Sequence, residues 1–223
     1  MSNAVFSSPI QPIKLRSLRD HVHDQLRSAI IAGKLRTGEK LNERQLAAQF
    51  GISTSPLKEA LRQLEGEGLV HTEARRGTYV TFSARQAEEM TLARAALESI
   101  IARQAAKHGS DADFSFLSNA IVQMQQAVDA GDIDALVELN ESFHDGIHSA
   151  SGCTYLCRLQ NAQRMYDHAA RITVLSSPEV REQSFCEHRD IMAAITSRNE
   201  DLAERLMREH ILKAGQTHIE LVF

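Results

Sequence analysis

Leu41–Val70 reads LNERQLAAQFGISTSPLKEALRQLEGEGLV, and its pattern decides how the N-terminal part of the chain folds. Leu46, Ala47 and Phe50 share one face at helical spacing. Gly51 follows, at a place where a left-handed residue commonly ends a helix. Ser53 or Ser55 can cap a second helix, and Pro56 falls in its first turn, where a missing N–H costs nothing. Leu57, Ala60, Leu61 and Leu64 give that helix a buried face, while Ser53, Thr54, Ser55 and Lys58 keep its first turn polar. A helix with an apolar back and a small polar tip can enter a DNA major groove while its back packs on a core. The same pattern also fits a helical hairpin in any all-α protein, so the flanking segments decide.

Downstream, Leu69–Val70–His71–Thr72 reads as a strand, Glu73–Ala74–Arg75–Arg76–Gly77 as a polar turn, and Thr78–Tyr79–Val80–Thr81 as a second strand. A hairpin directly after the second helix, with two arginines and a glycine at its tip, is a wing. Upstream, Ser17–Ala32 is an amphipathic helix with Leu18, Val22, Leu26, Ala29 and Ile30 on one side, ended by Gly33. Leu35 and Leu41 flank a short strand that could pair with the wing.

With these residues in view, Arg19–Thr81 resembles the winged helix-turn-helix of the GntR family of bacterial transcription regulators. The run VHDQLRSAIIAGKLRTGEKLNERQLAAQFGISTSPLKEALRQLEGEGLV, followed by RRGTYV, carries the resemblance. It implies that Arg44, Ser53, Thr54, Ser55 and Lys58 face the major groove and its phosphates, and that Arg75, Arg76 and Gly77 approach the minor groove. Thr54 and Lys58 stand where many family members carry arginine. Threonine cannot make arginine's two-pronged contact to guanine, so the half-site sequence does not transfer.

Charge agrees with this division. Residues 12–82 hold 12 basic and 8 acidic residues, net +4, and the rest hold 13 basic and 21 acidic, net −8. A basic N-terminal part beside an acidic remainder suits DNA contact through the first alone. With 43% hydrophobic residues in a chain of 223, there is material for one large or two modest cores. No apolar run spans a bilayer and no signal-peptide pattern opens the chain, so a cytoplasmic protein without membrane contact is expected. Three cysteines, Cys153, Cys157 and Cys186, are expected as reduced thiols packed in the core. The expected organisation is a disordered arm over 1–12, a winged helix-turn-helix over 13–82, and an all-helical domain over 83–223.

From Gln86 onward the sequence reads as six antiparallel helical segments, roughly 86–107, 112–130, 132–150, 153–175, 178–197 and 200–219, with short breaks between them. Three of them carry histidine on the inward stripe: Leu136, Asn140, Phe143/His144 and Ile147; Phe185, His188, Met192 and Ile195; Ala203, Leu206 and His210. Asn140 and His144 are i, i+4 neighbours and point the same way. Buried polar groups without partners cost about 2–7 kcal/mol, so these four should satisfy one another or something bound between them. Neutral imidazoles from separate helices suit a divalent transition metal; a metal-free polar pocket is the alternative. His108, His148, His168 and His218 read as hydrogen-bonded core or surface residues.

The segments NESFH (140–144), EHRDIMAAI (187–195) and REH (208–210) resemble the FCD ligand-binding domain of the FadR-type GntR subfamily. The resemblance implies a metal held by Asn140, His144, His188 and His210, zinc first, with nickel or manganese as alternatives. Asparagine where aspartate is common leaves the ligands neutral, which should weaken affinity and favour an anion as a further ligand. Arg94-Ala-Ala-Leu-Glu98 resembles the family's arginine–glutamate motif. Arg94 either holds an effector carboxylate or forms a helix pair with Glu98. The expected protein is a homodimeric regulator, more a repressor than an activator. It would bind an inverted-repeat operator and respond to a small organic acid or sugar acid. A metal-responsive regulator and a metal-dependent hydrolase are the rivals. The hydrolase would need a base beside the metal, and Glu141 and Glu187 are expected at the wrong phase.

Overall fold

The computed structural model describes residues 17–161 and 164–223. The arm expected over 1–12 lies outside the described residues. The first unit comprises α1 (Leu18–Ile31), β1 (Lys40–Leu41), α2 (Glu43–Phe50), α3 (Thr54–Gly66), β2 (Val70–Glu73) and β3 (Gly77–Val80). Asn42 caps α2 by accepting from the Gln45 N–H, and Gly51 ends it in the left-handed region at φ 65°. The next helix can therefore start within three residues, which sets α2 and α3 at a fixed angle. Val22, Leu26 and Ile30 from α1 pack with Leu57, Leu61 and Leu64 of α3 and with Leu69, Val80 and Phe82 from the wing. The sheet is antiparallel in the order β1-β3-β2, with Lys40 opposite Tyr79 and Thr72 opposite Thr78. Leu18, expected on the buried side of α1, is 52% exposed. It opens the first turn, ahead of the residues that meet α3.

The rest is helical: α4 (Ala84–His108), α5 (Asp111–Ala130), α6 (Ile133–Ser151), α7 (Thr154–Asn161), α8 (Arg164–Val174), α9 (Pro178–Thr196) and α10 (Glu200–Val222). Ser110 and Asp113 form a reciprocal capping box on α5, Asp132 caps α6, and Asn199 caps α10 with Glu200 and Asp201 in the first turn. α4 and α10 run antiparallel along their length, with Thr91 against Gly215 at one end and Arg103 paired to Glu200, Asp201 and Glu204 at the other. The expected fourth segment, 153–175, is described as two helices, α7 and α8. α7 packs on α4, while α8 packs on α1, α6 and α10.

α8 and α10 also reach the N-terminal unit. Ala169 and Ala170 of α8 belong to its core, with Ile219 of α10 packed against it. His218 is fully buried and its Nε2 lies 3.0 Å from the Ile31 carbonyl, at the end of α1. Val222 occupies the space a side chain at Gly33 would need, and Phe223 lies against Phe82 with ring centroids 5.6 Å apart.

Candidate DNA interface and candidate metal centre

The N-terminal unit presents its expected residues to solvent. Arg44 on α2, Ser53 at the N-cap of α3, and Thr54, Ser55 and Lys58 on its first turns are all exposed. The Lys58 amine lies 3.8 Å from Glu43, a solvent-exposed pair that DNA phosphate can outcompete. Arg75 sits at the wing tip in the left-handed region at φ 64°, and Gly77 follows at φ 114°. The Arg76 guanidinium leans on Glu73 at 3.1 Å. Two cations on this surface were not picked out from the sequence. Arg62 is exposed one turn beyond Lys58, at a spacing of four that could have revealed it. Lys40 of β1 passes over Gly77 to lie above the Tyr79 ring, a placement that depends on sheet pairing and has no local signal.

In the helical part, Asn140 and His144 of α6, His188 of α9 and His210 of α10 are all buried and meet at one point. One ring nitrogen from each of the three histidines lies within 4.8 Å of the others. Nε2 of His188 is 3.4 Å from Nε2 of His144 and 3.2 Å from the Asn140 side-chain nitrogen. The opposite ring edges face acceptors. His188 Nδ1 is 2.6 Å from the Ser184 carbonyl, one helical turn back. His210 Nδ1 is 2.8 Å from Glu187 Oε2. His144 Nδ1 is 3.6 Å from Glu98 Oε2, close for charge but long for a hydrogen bond.

An acceptor beside Nδ1 places the proton there and leaves the Nε2 lone pair facing inward. Burial pushes His144 down to about 3 against the pull of Glu98, with Arg171 and Arg94 adding to the depression. Burial also holds His188 well below the ordinary histidine range, with His210 and His144 reinforcing it. Neutral imidazoles with inward lone pairs are the protonation state a metal requires. Burial would raise Glu98, but the hydrogen bonds and charge of His144 and His148 hold it well below the carboxylate range. His148 Nε2 lies 3.0 Å from the same Glu98 oxygen.

The donor set therefore fits a divalent transition ion: three imidazole nitrogens, and an amide whose oxygen can replace its nitrogen by a half-turn of the side chain. Asn140, His144 and His210 line a cavity of about 30 Å³ together with Thr91, Arg94, Arg171 and Ser184. Arg94 thus joins the cluster from α4, buried at 8% exposure. Arg171 was missed, because only the packing of α8 brings it there. Glu187 lies at the phase expected from the sequence. It does not point inward beside His188, but it reaches across to α10 and holds His210. Glu141 lies apart, 3.5 Å from His168. A larger cavity of about 550 Å³ opens between α5 and α6, lined by Asp113, Glu138, Glu141 and Asp145. Its carboxylates would repel an organic acid.

The FCD domain family matches residues 89–213, more than half of the chain, and the bacterial regulatory proteins of the gntR family match residues 18–80. The chain belongs to the GntR family. Among GntR-family relatives, the HTH-type transcriptional repressor GlaR of Escherichia coli (strain K12) is 32% identical over 199 residues, spanning 84% of this chain and 89% of that one. The HTH-type transcriptional repressor RspR of the same strain is 26% identical over 214 residues, covering 94% and 90%. Among solved structures, E. coli McbR/YncC superposes with a TM-score of 0.66 at 23% identity, covering 89% of this chain and 95% of that one. The Listeria monocytogenes protein Lar gives 0.61 at 20% identity, covering 94% and 100%. These two show the fold alone. This GntR-family chain is a DNA-binding transcriptional regulator, not an enzyme, so the hydrolase reading falls away. No helix among the described residues is long and apolar enough to cross a membrane.

Proposed function

We propose that this regulator is a homodimeric repressor that releases an inverted-repeat operator when a small organic acid or sugar acid binds its helical domain at a divalent metal. The observation that carries the reading is the convergence of one ring nitrogen from each of His144, His188 and His210 to within 4.8 Å of one another. Asn140, His144, His188 and His210 would hold the ion, zinc before nickel or manganese, and the ion would supply a positive centre for a carboxylate. Arg94 would take part in holding that carboxylate through paired hydrogen bonds. Repression follows the GlaR and RspR relatives, both named repressors. Dimerisation follows from the short reach of one recognition helix, which reads too few bases alone. The working division is a DNA-binding domain over 13–82 and an effector domain over 83–223, and the site of action is the cytoplasm.

Arg44, Ser53, Thr54, Ser55 and Lys58 would meet the major groove, with Arg75, Arg76 and Gly77 at the minor groove. The test joins elemental analysis to DNA titration on the protein's own promoter and on random sequence. Wild type should carry about one divalent ion per subunit when purified without chelators. It should prefer its promoter and lose affinity steeply as salt rises. His188→Ala should lose the metal and the response to organic acids together, while binding DNA as tightly as effector-free wild type. A wild type that neither carries metal nor takes it up would leave a polar pocket read by hydrogen bonds. A regulator that answers to the ion without any acid would favour the metal-responsive alternative.

A further inference from the structure

We infer that Glu98 and Glu187 are the charged outer shell of this centre, orienting two of its imidazoles and balancing charge that its neutral ligands leave uncompensated. The inference rests on the metal reading above. Behind the Nδ1 of each histidine stands an oxygen: the Ser184 carbonyl for His188 and Glu187 for His210 at hydrogen-bond distance, and Glu98 for His144 at 3.6 Å, an electrostatic contact. Ionised carboxylates can only accept, so each selects the tautomer whose Nε2 lone pair faces the centre. Both carboxylates are themselves held. Glu98 Oε2 also meets Nε2 of His148 at 3.0 Å, and the second oxygen of Glu187 takes the Lys213 amine at 2.8 Å. Glu187 and His188 are consecutive on α9, so one dipeptide serves two imidazoles: His188 directly, and His210 through the carboxylate.

The charge follows from the same geometry. Asn140 and three neutral imidazoles bring no charge to a dication. Glu98, enclosed on α4, places negative charge one imidazole away, where the low dielectric of the interior keeps it effective; Glu187 on α9 does so from a partly exposed position shared with Lys213. Asparagine in the ligand position therefore need not weaken the site as the ligands alone would suggest.

The test uses the full chain with Glu98→Gln and Glu187→Gln, each close to isosteric. Zinc affinity is measured by competition with a chromophoric chelator. Histidine tautomers are read from ¹⁵N shifts in metal-free protein. Each variant should bind zinc roughly 10–100-fold more weakly. In the metal-free variants His144 should lose its tautomer preference only in Glu98→Gln, and His210 only in Glu187→Gln. A general loss of structure would disturb both alike. Unchanged tautomers with zinc affinity within about twofold of wild type would overturn the outer-shell assignment. If Glu98→Gln fails to fold, Glu187→Gln, at a partly exposed position, carries the test alone. A wild type that takes up no zinc overturns the charge-balancing role along with the metal reading, while the tautomer measurement still decides the orienting role.

Discussion

At the scale of single residues, the N-terminal unit holds a second buried histidine with an unusual pair of neighbours. His23 of α1 lies with Nε2 2.7 Å from Glu67 Oε1 and Nδ1 3.2 Å from Asp24 Oδ1, and Arg27 reaches Glu67 at 3.3 Å. A neutral imidazole can donate only once, so carboxylates at both nitrogens are satisfied together only by the imidazolium. The hydrogen bond to Glu67 raises the His23 pKa above 6.5, against burial. Burial pushes Glu67 up, but His23 and Arg27 hold it below 4.5. The sign is fixed by these directions. His23's contribution is complete below pH 6.5, its unfolded value, and is lost as pH rises through the raised folded value. That of Glu67 is present above pH 4.5 and is lost as pH falls through its lowered folded value. Because Glu67 is the C-cap of α3, this cluster fixes the far end of the recognition helix. Melting temperature should therefore decline as pH rises above 6.5 in wild type and be flatter there in His23→Gln; parallel profiles would remove the role. The histidines of the metal centre were legible from inward stripes on three helices. Their carboxylate partners were not, because Glu98 and Glu187 meet them only through the mutual rotation of α4, α6, α9 and α10. Ser184, four residues before His188, was the one partner that spacing alone could have offered.

At the scale of elements, most of the chain was readable because each start and stop has a local cause. Gly51, Asp132, Asn199 and the Ser110–Asp113 box mark their ends with one or two residues. The closest helix pair, α4 with α10, depends on Gly215. A methyl group there would fall inside the contact distance of the Thr91 side chain. Gly215→Ala should destabilise the fold by about 1–3 kcal/mol despite alanine's better helix propensity, by forcing the crossing apart. Denaturant unfolding checks this, and a neutral or stabilising result would mean that Thr91 rotates clear. Since Thr91 and Gly215 both line the metal cavity, the same change should also loosen zinc binding.

At the scale of the whole molecule, α8 and α10 both wall the cavity and grip the DNA-binding unit. α10 supplies His210 to the cluster and, two turns further on, His218 to the end of α1. α8 supplies Arg171 to the cavity and Ala169 and Ala170 to the N-terminal core. A ligand that binds one arrangement of these helices more tightly than another must act on the recognition helix as well. His218→Ala should accordingly keep zinc binding and effector-free DNA affinity but show a smaller effector-induced change in operator affinity, measured by titration with and without acid. An undiminished change would locate the coupling elsewhere. The cavity has one more consequence. At about 30 Å³ it has room for roughly one water. On the proposed function an organic acid would enter only an opened form, and its apparent affinity would be its intrinsic affinity scaled down by that form's population. The protein's sensitivity would then be set as much by how often the walls part as by any contact to the acid. Natural variation at wall positions that never touch the ligand can retune the concentration at which the gene responds.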